Sequence, residues 1–123
     1  MLVQKKVFVF GQNQTNLDAL TLALEICDYQ VASTRHSNNV PQMVQSLQSD
    51  LVLFDVSKSD KELTDLLVHL KEQLPQSSQL VGYLANETKI PQENISRNLD
   101  HFIPQPAINI EEFSERVKQF LTK

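Results

Sequence analysis

Leu51, Val52, Leu53 and Phe54 form an apolar, β-prone run without polar alternation, and a carboxylate closes it at Asp55. A strand that offers no polar face must be covered on both sides, as in a parallel sheet with helices above and below. The rest of the chain has to supply those neighbours, and its pattern does. Short apolar runs alternate with longer amphipathic segments five times over, with no internal repeat.

The runs at 7–10, 30–34, 51–54, 80–83 and 101–103 predict strands. Thr15 stands where it can cap a first helix, with Leu17, Leu20, Leu24 and Cys27 on one face. Asn39 as cap and Pro41 in the first turn, where a missing N–H is harmless, open a short second helix with the stripe Val40, Met43, Val44 and Leu47. Ser59 and Glu62 make a capping box for a third helix, which turns Leu63, Leu66, Leu67, Leu70 and Leu74 inward and is stopped by Pro75. After the fourth strand only Ile90, Ile95 and Leu99 anchor a fourth helix, with Pro91 among them. Asn109 and Glu112 are placed to cap a last helix that buries Ile110, Phe113, Val117, Phe120 and Leu121. Five βα units in order predict an α/β fold: a three-layer, doubly wound, flavodoxin-like (βα)5 domain over residues 1–123, with a parallel sheet in the order 2-1-3-4-5.

The 123 residues suit one domain with one core, built without disulfides or a structural metal. A net charge of −4 comes from interspersed acids and bases, which leaves no basic stripe for nucleic acid or an anionic membrane surface. The single cysteine, Cys27, is read as a small core residue on the first helix. With no signal peptide and no membrane-length apolar stretch, a cytoplasmic location is expected, and the Asn-x-Ser/Thr triplets at Asn13, Asn86 and Asn94 then carry no meaning. His36, His69 and His101 are far apart with no second ligand at metal spacing, so no metal site is expected. Gly11 lies in neither a GxGxxG nor a GxxxxGK[ST] loop, and no cofactor is expected.

Three stretches carry a resemblance: Lys6-Val-Phe-Val-Phe10 followed by Thr15-Asn16-Leu17, then Ser49-Asp-Leu-Val-Leu-Phe-Asp55, then Asn98-Leu-Asp-His-Phe-Ile-Pro-Gln-Pro106. Over essentially its whole length the chain resembles the receiver domain of bacterial two-component response regulators. The resemblance implies that Asp55 stands at the position that accepts a phosphoryl group from a histidine kinase. It also implies that an acidic pair holding Mg²⁺ would fall at Gly11 and Gln12, a Ser or Thr at Leu84, and a Lys at Gln105. Of these five positions only Asp55 keeps the family's residue.

Phosphoryl transfer rests on charge stabilisation, and each such contact is commonly worth about 2–4 kcal/mol, or ~30- to 1000-fold in rate. Mg²⁺ also needs oxygen ligands that a glycine and an amide supply poorly. Asp55 is therefore read first as a strand-end carboxylate accepting loop N–H bonds. Lys58, three residues on, is a solvated loop lysine or, in the sharper reading, a substitute charge beside Asp55. Tyr83 is read as core. Phe102 falls where the family places an aromatic reporter, and is either core or an exposed contact for a partner.

These readings converge on a phosphorylation-independent, response-regulator-like signalling module that binds a protein and is not an enzyme. The partner would be a signalling protein or a component of a kinase pathway, with a second copy of the chain as a further candidate. Two alternatives stay open: a receiver still phosphorylated on Asp55, and a small-ligand sensor using the emptied pocket by Gly11, Asp55, Leu84 and Gln105.

Overall fold

The computed structural model describes residues 4–56, 61–74, 78–84, 99–104 and 110–121. In chain order these form β1 (Lys6–Phe10), α1 (Gln14–Ile26), β2 (Gln30–Thr34), a 3-10 turn (Ser37–Asn39), α2 (Val40–Leu47), β3 (Leu51–Asp55), α3 (Lys61–Gln73), β4 (Gln79–Leu84), β5 (His101–Pro104) and α4 (Ile110–Leu121). The strands pair in parallel in the order β2-β1-β3-β4-β5, as the pattern of apolar runs requires. The expected helix between β4 and β5 lies outside the described residues, as do Ser59, Pro75 and Asn109.

Side chains alternate across the sheet and divide the core in two. Val7, Val9, Leu51, Leu53, Val81, Tyr83 and Ile103 pack with Leu17, Leu20 and Leu24 of α1 and Phe113 and Val117 of α4. On the other face, Phe8, Phe10, Val52, Phe54 and Leu80 pack with Val40 and Val44 of α2 and Leu63, Leu67 and Leu70 of α3. β3, central and buried through Phe54, has no polar face because neither face meets water.

Two aspartates just ahead of strands fix the register. Asp50 accepts the Lys6 backbone N–H through Oδ2 at 2.9 Å, and its own N–H donates to Lys6 O at 2.8 Å. Asp100 repeats the device two pairs over, between β4 and β5: Oδ2 accepts from Leu80 N at 2.8 Å and its N–H donates to Leu80 O at 2.7 Å. At the other side of the sheet His101 stacks on Phe120, with ring centroids 3.9 Å apart, tying β5 to α4.

Three local expectations are corrected. The N-cap of α1 is Asn13, whose Oδ1 accepts from Asn16 N at 3.1 Å, so Thr15 lies inside the first turn. Asn39 does sit at the N-cap of α2, but its side chain makes no capping bond. Cys27 is exposed and not core. The helix stops one residue before it, where Asp28 turns left-handed at φ 70° and the N–H groups of Asp28 and Tyr29 donate back to Glu25 O and Leu24 O. The apolar periodicity runs past a helix that has already ended. Leu22 and Ile26, on the outer side of α1, are 59% and 76% exposed.

Candidate functional site

The family's reacting groups would collect where β1, β3 and β4 end. Asp55 is the last residue of β3 and pairs in register with Tyr83 of β4, while Phe10 of β1 pairs with Phe54. Parallel strands that end together bring Gly11, Asp55 and Tyr83 into one row on the α1 side of the sheet, because side chains two residues apart share a face. Beneath the row on the opposite face, the rings of Phe10 and Phe54 pack 5.4 Å apart at 52°.

Asp55 is half-buried, and Gln12 is exposed. Gly11 is buried without an unusual backbone conformation; its lack of a side chain serves another purpose. A β-carbon built on Gly11 would fall on the hydroxyl of Tyr83. That hydroxyl donates to Phe10 O at 3.1 Å, so the phenol reaches from β4 across β3 to β1 and passes Asp55 on its way. Tyr83 is 1% exposed. Its pKa is pushed far above the ordinary 10.0, first by burial and second by the carboxylate of Asp55. The phenol stays protonated and keeps its donated bond.

Tyr83 was legible as core, but its role in the site was not. The phenol fills space in the corner that the sequence suggests has been emptied by the loss of charged groups. Leu84 ends β4 and pairs with Pro104. Lys58 and Gln105 lie outside the described residues. Phe102 of β5 is half-buried against the α2–α3 side of the core, beside Gly82 in register. Gly82 itself leaves room for Leu99, whose side chain would meet any β-carbon there.

A Mg²⁺ site of the receiver type does not fit these residues. Where its first carboxylate would branch from the backbone, Gly11 is roofed by an uncharged hydroxyl, and a neutral amide follows at Gln12. Among the described residues no three His, Cys, Asp or Glu side chains are grouped to hold a metal ion, and no helix is long and apolar enough to cross a membrane. Asp50 and Asp100, just ahead of β3 and β5, hold the backbone N–H groups of Lys6 in β1 and Leu80 in β4, away from Asp55.

No family model matches the chain, and comparison with curated proteins finds no match. Solved structures do match over nearly the full length. A response regulator from Thermotoga maritima aligns with TM-score 0.82 at 19% identity, covering 98% of this chain and 100% of that one. An atypical orphan response regulator, described with a phosphorylation-independent regulatory mechanism, aligns with TM-score 0.75 at 18% identity, covering 95% of each chain. A response regulator solved in complex with a histidine kinase aligns with TM-score 0.77 at 17% identity, covering 96% of this chain and 99% of that one. The strand order, the two-sided core and these neighbours agree: the chain has the fold of response regulator receiver domains, with a phenol in the corner where the fold's acidic pair would begin.

Proposed function

We propose that this chain is a bacterial, cytoplasmic receiver-like module that acts without phosphorylation, by binding a protein partner, and is not an enzyme. The observation that carries the reading is the Tyr83 hydroxyl lodged against Gly11 and bonded to Phe10 O. Charge around a transferring phosphoryl group must be met by a metal or by cationic groups, and what the described residues present in this corner is a protonated phenol. The fold shared with an orphan regulator of phosphorylation-independent mechanism supports the same reading.

Binding to a protein is supported by the regulator solved with a histidine kinase and by two surfaces of the chain. Phe102 stands half-buried on β5, on the α2–α3 face of the sheet, and the outer side of α1 exposes Leu22 and Ile26. Leu22 and Ile26 stand one turn apart on α1, and contiguous apolar exposure is a common feature of contact surfaces.

The half-exposed carboxylate of Asp55 keeps a second reading in play, a receiver that still accepts phosphate there. Intact mass after incubation with acetyl phosphate and Mg²⁺ separates the two. The proposed function expects an unmodified mass, and a partner captured from native cells that is retained equally by Asp55→Asn. A stoichiometric adduct abolished by Asp55→Asn would establish the second reading.

A further inference from the structure

At the edge of the sheet opposite Asp55 lies a cleft of about 370 Å³, where the C-terminal ends of α2 and α3 meet the entry to β3. Its polar walls are held in place. Gln45 Nε2 donates to Gln73 Oε1 at 2.7 Å, bridging the two helices, and Ser78 Oγ donates to Ser49 O at 2.7 Å. Asp50 is fixed by its bond from Lys6 N. The floor is Ser49, 3% exposed, whose buried hydroxyl has no hydrogen-bond partner. Leu74 adds an apolar wall.

The backbone here shows a second oddity. Gln48 adopts the left-handed conformation, φ 56° and ψ 55°, with the N–H groups of Gln48 and Ser49 donating back to Gln45 O and Val44 O. Glycine takes this helix-ending position without strain, whereas a glutamine there is strained. The strained residue is one whose side chain lines the cleft.

The electrostatics of the cleft have one sign. Asp50 carries a carboxylate, no Lys or Arg is found among the described residues that line the space, and the carbonyl ends of two helices add partial negative charge. Because Gln45 uses its amide N–H on Gln73, its Oε1 remains to accept, as does the second oxygen of Asp50. From this arrangement we infer that the cleft is a binding site for a small organic cation with several N–H donors on a short alkyl chain, an alkylammonium or alkylguanidinium. The cationic head meets Asp50 and the amides of Gln45 and Gln48, and the methylenes lie on Leu74. The inference stands apart from the fate of Asp55, since the two sites occupy opposite edges of the sheet.

Titrating the ¹⁵N-labelled protein with agmatine, and separately with malonate as an anionic control, tests it. Saturable shifts at Gln45, Gln48, Ser49, Asp50 and Gln73 with agmatine, and none with malonate, are expected. Gln48→Gly should relieve the left-handed strain and raise the Tm, yet weaken agmatine binding by about tenfold through loss of its amide. Gln48→Asn tolerates the same backbone with a shorter arm, and should also weaken binding. Absence of saturable shifts, equal binding of malonate, or unchanged affinity in both variants would overturn the assignment.

Discussion

The hydroxyl of Tyr83 lies too close to Gly11 for a β-carbon there to fit without a shift. An acid at position 11 therefore requires the buried phenol of Tyr83 to move aside, and restoring the carboxylate alone leaves that phenol in the corner. Gly11→Ala is expected to destabilise the fold by about 1–3 kcal/mol through overpacking. Tyr83→Phe should cost about 1 kcal/mol from the lost bond to Phe10 O, while making room for the methyl group. The double variant should then be more stable than the sum of the two losses implies, and urea denaturation of all four proteins measures that coupling.

Burial of the phenol also sets an alkaline limit on stability. The folded state holds the Tyr83 proton well above 10.0, the ordinary value expected in the unfolded chain. Below that pH the proton is bound in both states and no difference arises. Above it the unfolded chain loses the proton first, so stability falls as pH rises. Thermal melts between pH 9 and 11.5 should show this decline in the wild type and a shallower one in Tyr83→Phe. Tyr29 retains a smaller dependence, because burial, with Cys27 and Glu115 nearby, raises its pKa as well.

The first helix should distinguish its two candidate caps. Asn13→Ala removes the bond to Asn16 N and is expected to cost about 1 kcal/mol, whereas Thr15→Ala should stay within about 0.5 kcal/mol. Chemical denaturation of the two variants side by side checks the assignment.

Asp100 has two partners of unequal weight. Its ion pair with Lys71, at 3.5 Å, is roughly half exposed on both sides, so Lys71→Ala should cost less than about 0.5 kcal/mol. Asp100→Ala also deprives Leu80 N of its acceptor and should cost about 1–3 kcal/mol, with Asp100→Asn recovering most of that. Matched urea curves of the three variants would separate the two contributions.

How far such relationships can be read from the sequence depends on their range. The strands were legible because unbroken apolar runs such as Leu51 to Phe54 have few places to go, and such runs, with the more polar segments at 30–34 and 101–103, alternate with amphipathic segments in a way that admits few sheet orders. Stripe residues such as Val44, Leu67 and Val117 followed from helical spacing. Cys27 did not, because periodicity reports which face a residue would occupy and says nothing of where the backbone turns away; the left-handed Asp28 decides that. Thr15 lost the cap to Asn13 because either residue type can cap, and a shift of two residues lies within the imprecision of helix boundaries read from sequence. The contact of Tyr83 with Gly11 joins residues 72 positions apart across an intervening strand. Composition around either residue carries no trace of it. A glycine at the end of β1 was the one visible sign, and it reads as a missing acid until the phenol is seen above it.

The paired clamps at Asp50 and Asp100 bear on how such a protein can change over time. Each locks a strand to its neighbour at the edge where the chain enters the sheet, remote from the loops that leave it. Alignment of the strands is thereby settled without help from the exit loops, which are left open to mutation. A lineage could exchange side chains at that rim, the glycine and the phenol among them, while the scaffold underneath went on assembling in the same register.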